Sequence, residues 1–429
     1  MRSAAGRKTI LSVLAGLLVA TGLAIVLVRG CGGCENATPH DTPLGPAPIV
    51  RVRLQNSPVR ALTLRVAADT VVTINGKRVE FPAAETTLTL RRNDGAFEFA
   101  GQTHNTDRIV FTPTAAVPAF GVGENRYRGH IEAIASSART FYLVNHVGID
   151  DYVASVIACE LYPGFADEAY CAQAITSRTL ALAEIAARKS RSYDVWASVR
   201  TQRYRGADSE TKKSRSATQA THGLALAIAI GDNPPAVFRP YFSACNAGYV
   251  NSLAVLTGQL DPPPIVPLRG GQQDIAQTRC RQWRWPTVRI SKTEVYRALC
   301  DRYSSARKLG ALRALRVLKT TSYGRPLILR ATGPAPASGN PAPTFDVVAE
   351  DLLICLLRTC PKAARGLLSM NCEIRDTGSS VEFAKGGGYG HGIGMSQWGA
   401  QIRAADYGQS AKEILGFYYP TTTIIRAYK

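Results

Sequence analysis

The sequence predicts an α+β protein: mixed, largely antiparallel strands with a few helices packed around a central site, behind an N-terminal transmembrane helix. Three observations lead there. Between residues 49 and 143, short runs alternate with period two and are broken by turn signals. Two helical segments follow at about 150–161 and 167–189, the second rich in alanine. Near the C-terminus, residues 386–400 carry six glycines in their first nine positions around a single histidine. Glycine alone takes positive φ freely and lets another chain come close, so this loop reads as the wall of a site. At 429 residues and 45% hydrophobic content, the chain can bury a core in one large or two ordinary domains.

The elements are justified in chain order. Arg2, Arg7 and Lys8 precede residues 9–28, a run with no charged side chain. Such a run is just long enough to cross a hydrocarbon core of about 30 Å, and its positive flank keeps the N-terminus cytoplasmic. Residues 1–30 are therefore expected to be an uncleaved single-pass anchor, with the rest exported to the periplasm or another extracytoplasmic space. Residues 31–48 are a polar, Pro-rich linker, and residues 49–429 the ectodomain, with a β-rich part at 49–143 and a core at 144–429. Ten cysteines fit export, since an oxidising compartment favours pairing; Cys159 and Cys171 are candidates for one disulfide. Asn75-Gly76 and Asn93-Asp-Gly95 mark turns between strands. Asp150 is the N-cap candidate of the first helix. Strands are expected at 237–243, 287–290 and 314–321, a surface loop at 333–343, and helices at 396–406 and 411–418.

The formal net charge of +19 points to an anionic partner, such as a wall polymer, a membrane surface or a nucleic acid. The basic residues are dispersed and no recognition helix, zinc finger or aromatic-basic platform stands out, so no nucleic acid is expected. The glycine loop is not a phosphate loop, because no Lys or Arg falls between Gly386 and Gln401. No cofactor or metal is expected either; His391, His222 and Cys245 lack paired-ligand spacing.

Glu160 is the sharpest candidate for chemistry. Val153, Val156 and Ile157 form an apolar stripe, and Glu160 takes its next position. A carboxylate on a buried helix face is costly unless paired or functional, and desolvation would suit it to general acid work. The competing reading is a buried ion pair with Arg178. His391 could simply bond a backbone carbonyl, and Ser396 could be a helix N-cap rather than a nucleophile.

Several segments together resemble the SpoIID/LytB family, the sporulation stage II protein D type of peptidoglycan lytic transglycosylase. Residues 144–160, ending in Glu160, are similar to the family's approach to its acidic residue. Ala172-Gln-Ala-Ile-Thr-Ser-Arg-Thr-Leu-Ala181, Thr201-Gln-Arg-Tyr-Arg-Gly206, Thr221-His-Gly223 and Tyr241-Phe-Ser-Ala-Cys-Asn-Ala-Gly248 follow in the family's order. Gly390-His-Gly-Ile-Gly-Met-Ser-Gln-Trp-Gly-Ala400 is the most specific match, and Glu413-Ile-Leu-Gly-Phe-Tyr-Tyr-Pro420 closes the set. The resemblance implies that Glu160 is the catalytic acid of a non-hydrolytic cut between MurNAc and GlcNAc that leaves a 1,6-anhydro end. It implies further that Arg178, Gln202, Tyr204, Ser243, Tyr389, His391, Ser396 and Gln397 bind the glycan, with the glycine loop shaping a sugar site around the acid.

The partners so implied are peptidoglycan glycan strands, the inner membrane through the anchor, and a cell-wall amidase. Phe242 stands where the family often has His, which argues against the zinc site described for some relatives. Two alternatives remain: a non-catalytic wall-binding enhancer of an amidase, since the family includes such members, and a hydrolytic muramidase. The latter needs a second acid, for which Asp151, Asp167 and Glu168 are the options.

Overall fold

A computed structural model describes residues 45–67, 70–79, 87–114, 120–230, 233–259 and 265–429. It is a mixed α+β fold of several largely antiparallel sheets and a few helices. The anchor expected at residues 9–28 and the cysteines Cys31 and Cys34 lie outside the described residues. Among the described residues, no helix is long and apolar enough to cross a membrane. The described chain divides into two compact units. One runs to Pro240 and includes Thr422–Lys429; the other is Tyr241–Thr421.

The first unit is built on a seven-stranded sheet. Its central strands are Ile49–Arg53, Thr140–Gly148, His130–Ser137 and Arg108–Thr112, all antiparallel neighbours; Val195–Trp196 adds a parallel edge beside Ile49–Arg53. The period-two pattern sets the faces. Val50 and Val52 are fully buried while Arg51 and Arg53 stay partly exposed, and register places Arg51 opposite His146. A one-residue slip would drive the arginines into the core, so the register is firmly specified. Two predicted turns hold: Asn75 and Gly76 have φ of 50° and 76°, and Asp94 and Gly95 have 43° and 87°, the paired positive values of a tight hairpin turn. A six-stranded antiparallel sheet packs in the same unit.

Three helices follow: α1 (Ile149–Glu160), α2 (Asp167–Ala187) and α3 (Lys212–Ala220). The stripe read from sequence is real, since Val153, Val156 and Ile157 are fully buried. Asp150 is not the N-cap. That position is Gly148, and Asp150 sits inside the first turn, where a negative charge complements the helix dipole. In α2, Ala169, Ala172, Ala174 and Ala181 are buried, and these small side chains let the neighbouring helices approach closely. Thr179 Oγ1 accepts the Leu226 N–H at 2.8 Å, tying α2 to the strand Leu224–Ile230.

In the second unit, two three-stranded antiparallel sheets flank the helices Lys292–Arg302 and Ala349–Thr359. Leu299, Leu329, Leu352, Leu353, Leu356 and Phe383 form the centre of their core. The predicted loop at 333–343 connects the strands Pro326–Thr332 and Thr344–Val348, closed by the Gly333 N–H donating to the Pro343 carbonyl at 2.8 Å. The expected strand at 237–243 is interrupted: Asn233–Val237 and Phe242–Ser243 are separate strands. The expected disulfides are also corrected. The eight described cysteines are free thiols, Cys159 and Cys171 among them.

Candidate functional site

In the first unit, Glu160 is the last residue of α1. It is half-buried rather than sealed in the core, because the helix ends there and Leu161 turns away in extended conformation. Its Oε1 accepts the backbone N–H of Arg203 at 2.9 Å. The Arg205 N–H donates to Ser155 Oγ at 3.2 Å, so the segment 202–206 is strapped along the last two turns of α1. This backbone N–H orients the carboxylate. Tyr162 follows two residues later, 55% exposed, with its ring tilted against Phe165 at 5.6 Å.

The ion pair that competed with catalysis does not form. Arg178 is fully buried and its guanidinium is directed to Asp150 at 2.8 Å, to Tyr428 Oη at 2.8 Å and to the carbonyls of Thr218 and Leu224. Asp150 also receives the Tyr428 hydroxyl and lies 2.9 Å from His222 Nδ1. Arg178 therefore joins α1, α2, α3 and the chain end instead of touching a ligand.

Gln202 and Tyr204 are similarly enclosed. Gln202 Oε1 accepts the Tyr152 hydroxyl at 3.1 Å, and its buried Nε2 has no partner among the described residues. The Tyr204 hydroxyl donates to Asn145 Oδ1 at 2.7 Å, and its ring leans on Tyr127 and Tyr152. Burial raises the Tyr204 hydroxyl well above its ordinary pKa. Tyr204, one of the residues expected to bind the glycan, is thus buried with its hydroxyl and ring both occupied within the fold.

In the second unit, the glycine loop earns its composition. Gly388, Gly390, Gly392 and Gly394 all have positive φ, between 64° and 94°. This alternation folds the chain tightly against the parallel pair Phe242–Ser243 and Met395–Ser396. A Cβ on Gly394 would stand 2.1 Å from the Tyr241 carbonyl oxygen, and one on Gly392 2.1 Å from Asn251 Nδ2. His391 is nearly buried. Its Nδ1 accepts the Ile393 N–H at 2.9 Å, its carbonyl accepts Asn251 Nδ2 at 2.8 Å, and its ring meets Tyr241 edge-on. With Nδ1 an acceptor, the neutral ring carries its proton on Nε2.

Ser243 Oγ accepts the Gly392 N–H at 3.2 Å. Ser396 is fully buried and caps the helix Gln397–Tyr407, accepting the Gly399 N–H while donating to Gln277 Oε1 at 2.8 Å. It is a cap, not a nucleophile. Gln397 is nearly buried, and Tyr389 is half-buried with its backbone paired to Cys245.

Sequence reasoning missed the charged centre of this unit. Asp274 receives Arg403 Nη2 at 2.8 Å, the Tyr418 hydroxyl at 2.7 Å, Asn246 Nδ2 at 2.7 Å and Gln277 Nε2 at 3.0 Å. Gly399 is its sequence trace, since a Cβ there would lie 1.8 Å from the Tyr418 hydroxyl. Nearby, the thiols of Cys245 and Cys280 are hydrogen-bonded, which drives Cys245 up and holds Cys280 below the ordinary thiol pKa. Among the described residues, no three His, Cys, Asp or Glu side chains gather as a metal site.

Residues 137–227 match the family model of the stage II sporulation protein SpoIID. They span the strand Thr140–Gly148, helices α1 to α3 and the strap over Glu160. The chain is 28% identical over 288 residues to an uncharacterised protein of Brachyspira hyodysenteriae, covering 67% of this chain and 69% of that one. A shorter stretch of 39 residues is 64% identical to the amidase enhancer of Bacillus subtilis, covering 9% of this chain and 5% of the relative.

Proposed function

From the premise that this chain belongs to the SpoIID/LytB family, we propose that it acts on the cell wall as a lytic transglycosylase with Glu160 as its single acid and base. The observation that carries the reading is the placing of Glu160. It closes a buried helical stripe, is itself half-buried, and is oriented by the Arg203 N–H. In its protonated form it donates to the oxygen that leaves MurNAc C1 as that bond breaks. The resulting carboxylate then takes the proton of the same sugar's 6-hydroxyl, whose oxygen bonds C1 and closes the 1,6-anhydro ring. No water is consumed, so no second carboxylate is required.

Two of the three rival carboxylates fit this reading. Asp151 lies nine residues before Glu160 on one helix, about 13 Å along the axis at about 1.5 Å per residue, beyond the spacing used to activate water. It is also paired with Arg128 and Arg215. Asp167 is exposed and pairs with Lys213. For sugar contacts in this unit, Tyr162 is an exposed aromatic two residues after Glu160. The natural setting is an ectodomain outside the cytoplasm, held to the membrane by residues 9–28.

A second reading is supported by the match to an amidase enhancer. In it, the protein binds wall glycans without cutting them and stimulates a separate amidase. Incubation of the ectodomain with peptidoglycan, followed by mass spectrometry of the chain ends, separates the readings. Anhydro ends support the transglycosylase and reducing ends a muramidase. Intact strands with retained wall binding support the enhancer.

A further inference from the structure

The solvent face of the seven-stranded sheet carries a second candidate site, independent of Glu160. Register aligns Arg51 with His146, and His146 with His130, across three strands. The segment after α2 crosses over them, held by Arg51, which donates to the carbonyls of Arg188 at 2.9 Å and Arg191 at 2.6 Å. Beneath the crossing lies an open cavity of about 180 Å³, walled by Arg51, Arg108, Glu132 and His146 of the sheet and by residues 189–192.

The charges on its walls do not cancel. Arg51 is matched by Asp194 at 2.5 Å. Glu132 is held by Arg108 at 2.7 Å and by His146 Nε2 at 3.1 Å, so the one carboxylate in the lining is already neutralised. Lys189 and Arg191 remain. Both are exposed, and neither side chain has an ionic partner among the described residues. Two residues with unmatched cations, Lys189 and Arg191, thus line one cavity together with Ser190 and Ser192.

We propose that this cavity binds a phosphate group. Two positive charges match a dianion, and a guanidinium, an ammonium and two hydroxyls offer more donors than a single carboxylate can use. A volume near 180 Å³ is well above the roughly 10–15 Å³ that one water requires by the same kind of measure, which admits phosphate with part of its hydration. Stacked cations continue the face: Arg53 lies 4.2 Å from the Tyr142 ring and 4.3 Å from the Trp196 ring, and Arg200 lies 4.5 Å over Trp196. The phosphate can be free or part of a phosphodiester polymer.

Calorimetric titration of the full chain with inorganic phosphate tests this, beside a Lys189→Ala/Arg191→Ala double variant. Saturable binding is expected, weakened at least about tenfold in the variant, with the unliganded melting temperature unchanged. Acetate should bind far more weakly. A glycerol-phosphate polymer run at equal ionic strength tells the sources apart: tighter binding than inorganic phosphate identifies a polymer, and equal or weaker binding a free phosphate group. No saturable phosphate binding, an unaffected variant, or acetate binding as tightly as phosphate would each overturn the proposal. None of these outcomes bears on the transglycosylase reading.

Discussion

Glu160 and Arg178 show how far single residues could be read. The apolar stripe is buried and Glu160 ends its helix, but the pairing with Arg178 could not be judged from spacing, because Arg178 is claimed by Asp150 and by Tyr428, 250 residues away. Replacing Arg178 with Met should lower unfolding free energy by about 3 kcal/mol, since it strips a buried cation from its carboxylate; urea denaturation measures this. Glu160→Gln should leave the melting temperature in place and reduce cleavage on the order of 100-fold or more. His130 carries a pH signature. Burial, with the neighbouring His146, pushes its pKa down to about 4 from the ordinary 6.5. The unfolded chain therefore takes up a proton before the folded one does. The stability from neutral His130 is present above about pH 6.5 and is lost as the pH falls towards 4. In His130→Gln, the drop in melting temperature between neutral and acidic pH should be smaller.

At the level of elements, legibility followed periodicity. Helices α1 and α2 were read within a few residues because their buried faces repeat at helical spacing. Helix α3 was not, because Lys212–Ala220 is polar almost all round and is announced only by its Thr211–Ser214 capping box. The helix Ala349–Thr359 holds six consecutive apolar residues, a run that suits a buried strand equally well. The helix Lys292–Arg302 did carry a signal, the capping box of Ser291 and Glu294. The composition of the glycine loop marks it as costly in chain entropy. Composition could not show that Ser243, His391 and Ser396 bond mainly to the loop's own surroundings. Gly394→Ala is the sharpest test of that packing. It combines a φ of 64° with a backbone oxygen 2.1 Å from the new Cβ, and that oxygen already accepts the Tyr419 hydroxyl. A loss of about 3 kcal/mol or more in thermal or urea unfolding is expected.

For the whole molecule, the sequence indicated an α+β fold and an ordered run of family motifs. It did not indicate the division into units near Pro240, which depends on contacts between residues far apart in the chain. Nor could a net charge of +19 show where charge stays unmatched: in the cavity on the sheet face Arg51 and Arg108 are tied to carboxylates, and Lys189 and Arg191 are not. The central claim concerns one carboxylate and no water. Digesting purified glycan strands in heavy-oxygen water tests it most directly. Glu160-dependent cleavage should yield anhydro ends with no heavy oxygen, because the sugar's own 6-hydroxyl closes the ring. Heavy oxygen at new reducing ends, or cleavage that persists in Glu160→Gln, would contradict it.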